Sequence, residues 1–324
     1  MGSSPNASIT VIIVNYNGGD LLRKCLLHLH HQTCLPSKTL LIDNGSSDAS
    51  ADLTDEFTEV TVLRMGENLG FAAANNYALH ECNTEFVALL NPDAFPEPDW
   101  LENLLTAAND HPELAAFGSR QLCHENPDIL DGLGDNYHIS GLVWRDRHGA
   151  QQQEKDLIGH EIFSPCAAAA LYRRQALVDV GGFDEDFFCY VEDVDLGFRL
   201  RLAGYKAMYV PNAVVQHASS ATTGGQDSNF SVYHGHRNLV WTFVKNMPGA
   251  LFWLLLPLHV LLNIVSIFLF TVRGQGGVIL RAKRDAIRGI KKAWRKRRQI
   301  QSRRTVTIKE IWQVLDKRLT PIQK

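Results

Sequence analysis

Two adjacent carboxylates, Glu192 and Asp193, stand where a reaction would use them. They follow an apolar run, Phe187-Phe188-Cys189-Tyr190-Val191, and open an amphipathic stretch that stops at Gly204. Acidic side chains suit the positive end of a helix dipole, and Asp195 precedes Arg199 by one turn, the spacing of a helical ion pair. A carboxylate at a helix start beside a groove wall can take the proton from an attacking hydroxyl. The plainer alternative is a capped, solvent-facing helix, since acidic first turns are common. Other polar groups follow strand-like runs: Asn15-Tyr16-Asn17 after residues 9–14, Asp43 after 39–42, Asn91-Pro92-Asp93 after 86–90, and His217 after a segment ending Val-Val-Gln. Asp43 in Asp-Asn-Gly also suits a simple turn, and a lone histidine is more often a core or loop residue than a ligand.

These groups need a frame that gathers strand ends. Residues 9–14, 39–42, 60–64 and 86–90 are short apolar strands. Between them, 19–30, 47–57 and 70–80 carry helical patterning. Strands alternating with helices predict an α/β fold with a central, mostly parallel sheet and ligands at the carboxyl ends of the strands. No Gly-x-Gly-x-x-Gly follows Val14, so a dinucleotide fingerprint is excluded.

Composition narrows the classes further. The 324 residues carry a net charge of −3, which conceals an asymmetry of about −17 over 1–272 and about +14 over 273–324. A basic segment of this kind predicts a negative surface as partner. The six cysteines form no Cys-x-x-Cys pair, which favours reduced thiols over a zinc site or disulfide framework. The start, MGSSPNASIT, has neither the basic nor the apolar region of a signal peptide. Asn6 occupies the position where myristoylation needs Ser or Thr.

IVNYNG, LIDNGSSD, ENLGFAAANNYAL, LLNPDA, GGFDEDFF and YVEDVDLGFRLRLAGY occur in order over about residues 9–217. Together they resemble an inverting family 2 glycosyltransferase of the GT-A fold, near the bacterial rhamnosyltransferase-like branch. The resemblance implies that Asp43 reads a uracil or thymine imide, with Asn15, Asn17, Asn68 and Gly70 completing the nucleotide pocket. It implies that Asn91-Pro92-Asp93 takes the place of the DxD metal motif, with Asn91 as a weaker neutral ligand, Asp93 as the principal one and His217 as the third. Mg2+ or Mn2+ held there would neutralise a diphosphate leaving group, and Mn2+ tolerates the imidazole better. Asp193 corresponds to the general base of the family's Glu-Asp motif. Glu192 would orient Asp193 or the acceptor, the 181–186 segment containing Asp184 would form the acceptor wall, and Trp144 or Tyr137 could stack on a sugar.

Residues 250–272 are about as long as the ~20 apolar residues that span a bilayer, and Pro257, His259, Asn263 and Ser266 interrupt them. Beyond Arg273, Leu280, Ile287, Ile290 and Trp294 share one helical face of a basic segment, and Thr307-Ile308-Lys309-Glu310 reads as a capping box. The division expected is a catalytic domain over 1–245 and a helical, membrane-associating extension over 246–324. Nucleotide sugars and basic segments are both cytosolic, so 250–272 should be re-entrant or interfacial at the cytoplasmic face of the inner membrane. The alternative is a buried helix of an accessory domain or of a homo-oligomer interface. The reading is a glycosyltransferase that moves a sugar from a UDP- or dTDP-sugar, rhamnose favoured, to a lipid-linked or glycan acceptor in surface polysaccharide synthesis. Its partners are the donor, the acceptor and anionic lipid, with no nucleic acid. The competing readings are a polymerising family 2 synthase and a catalytically silent sugar-nucleotide-binding or assembly subunit.

Overall fold

Strand β1 (Ala7–Asn15) is central because both of its faces are apolar: Ile9, Val11 and Ile13 point to one side and Ile12 to the other, all buried. The computed structural model describes residues 7–219 and 227–318; the reading of Gly2 and Asn6 falls outside them. From β1 the chain runs through α1 (Gly19–His30), β2 (Pro36–Asp43), β3 (Val60–Arg64), α2 (Gly70–His80), β4 (Phe86–Leu90), β5 (Ala94–Pro96) and α3 (Trp100–Asp110). The expected helix over 47–57 is a shorter 3-10 turn, Ser50–Glu56. Its serines and aspartates favour such local turns over a full helix.

Then follow β6 (Ala116–Cys123), β7 (Leu130–Gly132), β8 (Asp135–Tyr137), β9 (Val143–Arg145), β10 (His160–Ile162), β11 (Ala169–Arg173), α4 (Arg174–Asp179), α5 (Glu192–Leu202) and β12 (Ala207–His217). The sheet order is β10-β12-β6-β11-β4-β1-β2-β3. The strands β4, β1, β2 and β3 pair in parallel, as do β6 and β12, while β11 runs antiparallel between the two groups. Helices cover both faces, α1 and α3 on one and α2 and α5 on the other. The register Asn15↔Asp43 sets two of the expected polar residues side by side at one sheet edge.

Four helices complete the described chain: α6 (Asn229–Asn246), α7 (Gly249–Val272), α8 (Gly276–Ser302) and α9 (Ile308–Val314). Thr307 and Glu310 make the expected capping box, each side chain accepting from the other residue's backbone N–H. These helices share a core with the sheet domain. Tyr137, Phe163, Phe198 and Val194 pack with Phe243, Phe252, Ala293 and Ile311. Each large apolar side chain buried there contributes about 1.5–3 kcal/mol relative to exposure. The division expected at 245/246 thus falls inside α6, and one core crosses it.

Candidate active site

The turn Asn91-Pro92-Asp93 leaves β4, closed by the Ala94 N–H to the Asn91 carbonyl at 3.1 Å. β5 then pairs with the end of β12, setting His217 opposite Ala94. As a result His217 Nε2 lies 3.3 Å from Asp93 Oδ1. Its other nitrogen, Nδ1, donates to Asp131 Oδ2 at 2.8 Å, and Ser219 Oγ donates to Asp131 Oδ1 at 2.6 Å. Burial disfavours the imidazolium, but the two carboxylates outweigh it and hold His217 at about 9. Burial would likewise raise Asp131, yet Arg145 and His217 hold it well below the usual carboxylate range.

This donor set fits a divalent ion. His217 Nε2 is buried and has no hydrogen bond of good geometry, only its 3.3 Å approach to Asp93 Oδ1. An ion there would take the place of the proton that the two carboxylates favour, and the carboxylate on Nδ1 fixes the ring so that Nε2 faces Asp93. Metal-bound histidines are oriented in this way. Asn91 belongs to the same turn, half-buried, with its backbone held by Ala168 and Cys25.

A second group lies beyond Asp131. The hairpin β8–β9 places Asp135 directly across from Arg145, so both project from the same face. Arg145 reaches Asp131, and one ligand-type atom each of Asp135, Cys166 and Asp193 lie within 4.8 Å of one another. Asp193 sits in the first turn of α5. Its Oδ1 accepts from its neighbour's N–H on Val194 at 2.8 Å and its Oδ2 from the Ala167 N–H at 3.2 Å. Burial raises Asp193 above the usual carboxylate range against the pull of Ala167 and Arg145. Burial and then Asp193 push Asp135 higher still. Glu192 is buried, with Oε2 unpartnered, and burial followed by Asp193 raises it strongly. Asp193 is only partly buried, whereas Glu192 is enclosed behind it, so Asp193 is the carboxyl of the pair that an incoming hydroxyl could reach. Ten of the eleven α5 residues are buried, so the solvent-facing alternative fails. The expected Asp195–Arg199 pair forms at 2.8 Å, inside the protein.

The chain reaching Asp193 is strained. Phe188, Tyr190 and Val191 have φ of 65°, 69° and 69°, positions that cost non-glycine residues about 1–3 kcal/mol each and cluster at functional sites. Gly70 is required where this turn meets α2. At φ +82° a Cβ would come within 2.6 Å of the Phe188 ring and carbonyl.

The remaining candidates sit around the first strand ends. Asn15 is wholly buried, donating to Ser46 and Ser50 and accepting from the Gly18 N–H. Asn17 accepts from the Ser47 and Asp48 N–H groups, and Asn68 from Asn44 and Gly70. Asp43 accepts from the Ser46 N–H and pairs with Arg64 at 3.2 Å. Asn15 and Asn68 therefore shape the loops with their own hydrogen bonds.

Three residues expected on the acceptor side are engaged within the protein. Asp184 is buried and ion-paired with Lys245 and Lys296. It joins the 181–186 wall to the helical extension, because its two oxygens are taken by lysines of α6 and α8. Trp144 lies on the face of β9 opposite to Arg145, since neighbouring strand residues alternate. Its ring meets His138 and the Arg318 guanidinium. Tyr137 is fully buried and stacks on Phe163 as a core residue. Asp131, Asp135 and Arg145 escaped sequence reasoning. The segment Asp-Gly-Leu-Gly-Asp over 131–135, two acids flanking glycines after an apolar pair, was the available signal.

Residues 10–181 match the family Glycosyl transferase family 2. The chain belongs to this family. It is 30% identical over 254 residues to an N-acetylglucosaminyl-diphospho-decaprenol L-rhamnosyltransferase of Mycobacterium tuberculosis, covering 70% of this chain and 81% of that protein. It is 27% identical over 219 residues to the O-antigen chain rhamnosyltransferase RfbN of Salmonella typhimurium, covering 66% and 67%. Among solved structures it resembles the mannosyltransferase PcManGT of Pyrobaculum calidifontis, in complex with GDP-Man and Mn2+, with TM-score 0.57, 16% identity and coverage of 96% and 88%. That likeness fixes the GT-A fold. The matched family region ends at 181, so Asp193 and His217 of this glycosyltransferase lie beyond it.

Proposed function

We propose that this family 2 glycosyltransferase transfers a hexosyl group, rhamnosyl favoured, from a UDP- or dTDP-sugar to a lipid-linked glycan with inversion at the anomeric carbon. The observation that carries the reading is the set Asp93–His217–Asp131–Arg145, joined by ion pairs, with Arg145 also acting electrostatically on Asp193, so that a metal-binding geometry and a raised carboxyl base share one partly buried arginine. The acceptor oxygen attacks the anomeric carbon, the bond to the diphosphate breaks, and the hydroxyl proton passes to Asp193. A divalent ion on Asp93 and His217, with Asn91 in the same turn, would supply charge neutralisation for the leaving diphosphate. The arrangement of a base with its own backbone donors and arginine favours an enzyme over a silent binding subunit. Nucleotide diphosphate release from a panel of nucleotide sugars, with a polyprenyl-diphosphate-linked acceptor, tests the reading. No turnover of any UDP- or dTDP-sugar would refute it.

Asp43 directs base choice. A uracil or thymine imide offers a proton to its carboxylate, whereas cytosine offers only an acceptor there. UDP and dTDP should bind more tightly than CDP, and Asp43→Ala should shrink the difference in a calorimetric titration. Equal affinities in the parent protein would remove Asp43 from base reading.

The helical extension is read as monotopic. Its helix α7 packs on the protein through Leu251, Phe252, Leu255 and His259, the last donating to the Ser140 carbonyl at 2.8 Å. Trp253, Leu254, Leu261, Ile264 and Phe268 face outward, as do Leu280 and Ile287 of α8. A helix tied to the globular core along one side cannot cross a bilayer alone, so the outward face lies in the interfacial plane beside basic α8. Full-length protein should therefore stay on anionic vesicles in high salt, which screens charge but not apolar insertion. Replacing Leu254, Leu261 and Phe268 with Ser should free it. Salt release of the parent protein would overturn the insertion. The shared core makes these surface changes a cleaner test than removing residues 246–324.

A further inference from the structure

We propose that Asn238 of α6 is the positioning residue that holds the strained turn before α5 and thereby aims Asp193. This rests on the reading of Asp193 as the base. Asn238 is wholly buried, and its Nδ2 lies 3.0, 2.9 and 2.8 Å from the carbonyl oxygens of Phe187, Cys189 and Tyr190. An amide NH2 has two protons, so three convergent acceptors use it to capacity. Its Oδ1 accepts from Arg237 Nε at 2.9 Å, and the Arg237 guanidinium also donates to the carbonyls of Asp186 and Phe187. The two remaining carbonyls of the turn are satisfied from elsewhere: Phe188 by the Ala72 N–H of α2 and Val191 by the Asp195 N–H of α5.

Each carbonyl from Asp186 to Val191 thus has a donor. Three of the six come through the single Asn238 side chain. That convergence is what residues at positive φ require, because carbonyls turned toward one point repel unless donors lie between them. Val191 is β-branched at φ 69° and is the residue immediately before Glu192-Asp193. Without the amide the turn has reason to relax toward negative φ, and α5 would then begin in a different direction. Asp193 would lose its place while the candidate metal ligands, in the turn after β4 and at the end of β12, would keep theirs. No other residue type serves: glutamine would overfill a fully buried site, and aspartate, of the right length, would present oxygen to the carbonyls.

The test uses the full chain with Asn238→Ala, alone and combined with Val191→Gly. Glycine adopts positive φ without steric cost, so at the strained position next to α5 it should lessen the turn's dependence on its clamp. Asn238→Ala should lower kcat for transfer by about 10²-fold, the cost of misplacing a catalytic group by about 1 Å, with the dissociation constant of the nucleotide diphosphate unchanged. Adding Val191→Gly should restore most of the rate. Wild-type kcat in Asn238→Ala, while Asp193→Asn is inactive, would overturn the positioning role and leave the base assignment standing. Should Asn238→Ala not fold, the double variant decides: recovered folding and transfer support the clamp, and continued loss refutes it. An active Asp193→Asn variant would instead remove the reading on which the inference rests.

Discussion

Replacing Asp193 with Asn should lower transfer by about 10²–10⁴-fold, the usual contribution of a positioned general base. The amide keeps the size of the carboxylate, and its single oxygen can still accept from one of the two N–H groups, Ala167 or Val194, that hold Asp193. Proton affinity is lost together with the other of these hydrogen bonds. Donor binding should change little, because the base addresses the acceptor. The parent enzyme should show an acid limb in kcat/KM above the ordinary aspartate range, since burial raises Asp193 against Ala167 and Arg145. The sign is direct: the base works when deprotonated, so a raised pKa moves the fall in rate to higher pH. The Asn variant should lack that limb. Turnover near that of the parent, or a limb at an ordinary carboxylate value, would exclude Asp193.

Chelation should abolish transfer, and Mn2+ or Mg2+ should restore it. Asp93→Ala and His217→Ala should each weaken metal-dependent binding of the nucleotide diphosphate, because Oδ1 and Nε2 stand 3.3 Å apart, as two ligands of one ion would. The informative variant is Asp131→Asn. Asp131 orients His217 from the far side of the ring, and loss of such a partner costs about 10–100-fold in metal affinity or activity. Asp131→Asn should therefore raise the Mn2+ concentration needed for half-maximal rate by about that factor while saturating metal recovers most of the rate. A chelator-resistant enzyme would return His217 to a structural role, held between two carboxylates.

Much of the α/β frame was readable because its signals are local. The strands β1, β2 and β4 are apolar runs bounded by polar turns, and the helices α1 and α2 fill the intervals between them. The ends of those strands carry Asn15, Asp43 and Asn91, so a shared edge followed from parallel pairing alone. Glu192-Asp193 was legible for the same reason, as an acidic helix start after an apolar run.

What sequence could not supply were contacts between distant segments. Asp131 meets His217 only because β7 pairs with β6, and β6 with β12. Asp135 meets Asp193 through Ser164, which bridges to Asp135 and donates to the Asp193 carbonyl. Their roles come from pairing across some 60 to 90 residues, not from spacing. Trp144 and Arg145 are adjacent in sequence, yet strand alternation sends one to the site and the other away. Asp184 looked like an acceptor ligand until helices α6 and α8 brought Lys245 and Lys296 to it. The sequence by itself determined the strands, the helix starts and the polar residues at their ends, since each depends on neighbouring side chains and backbone preference. Tertiary structure decided which carboxylates share Arg145, which are neutralised by lysine, and how Asn238 holds the turn before Asp193, because burial and long-range pairing set those charges and directions.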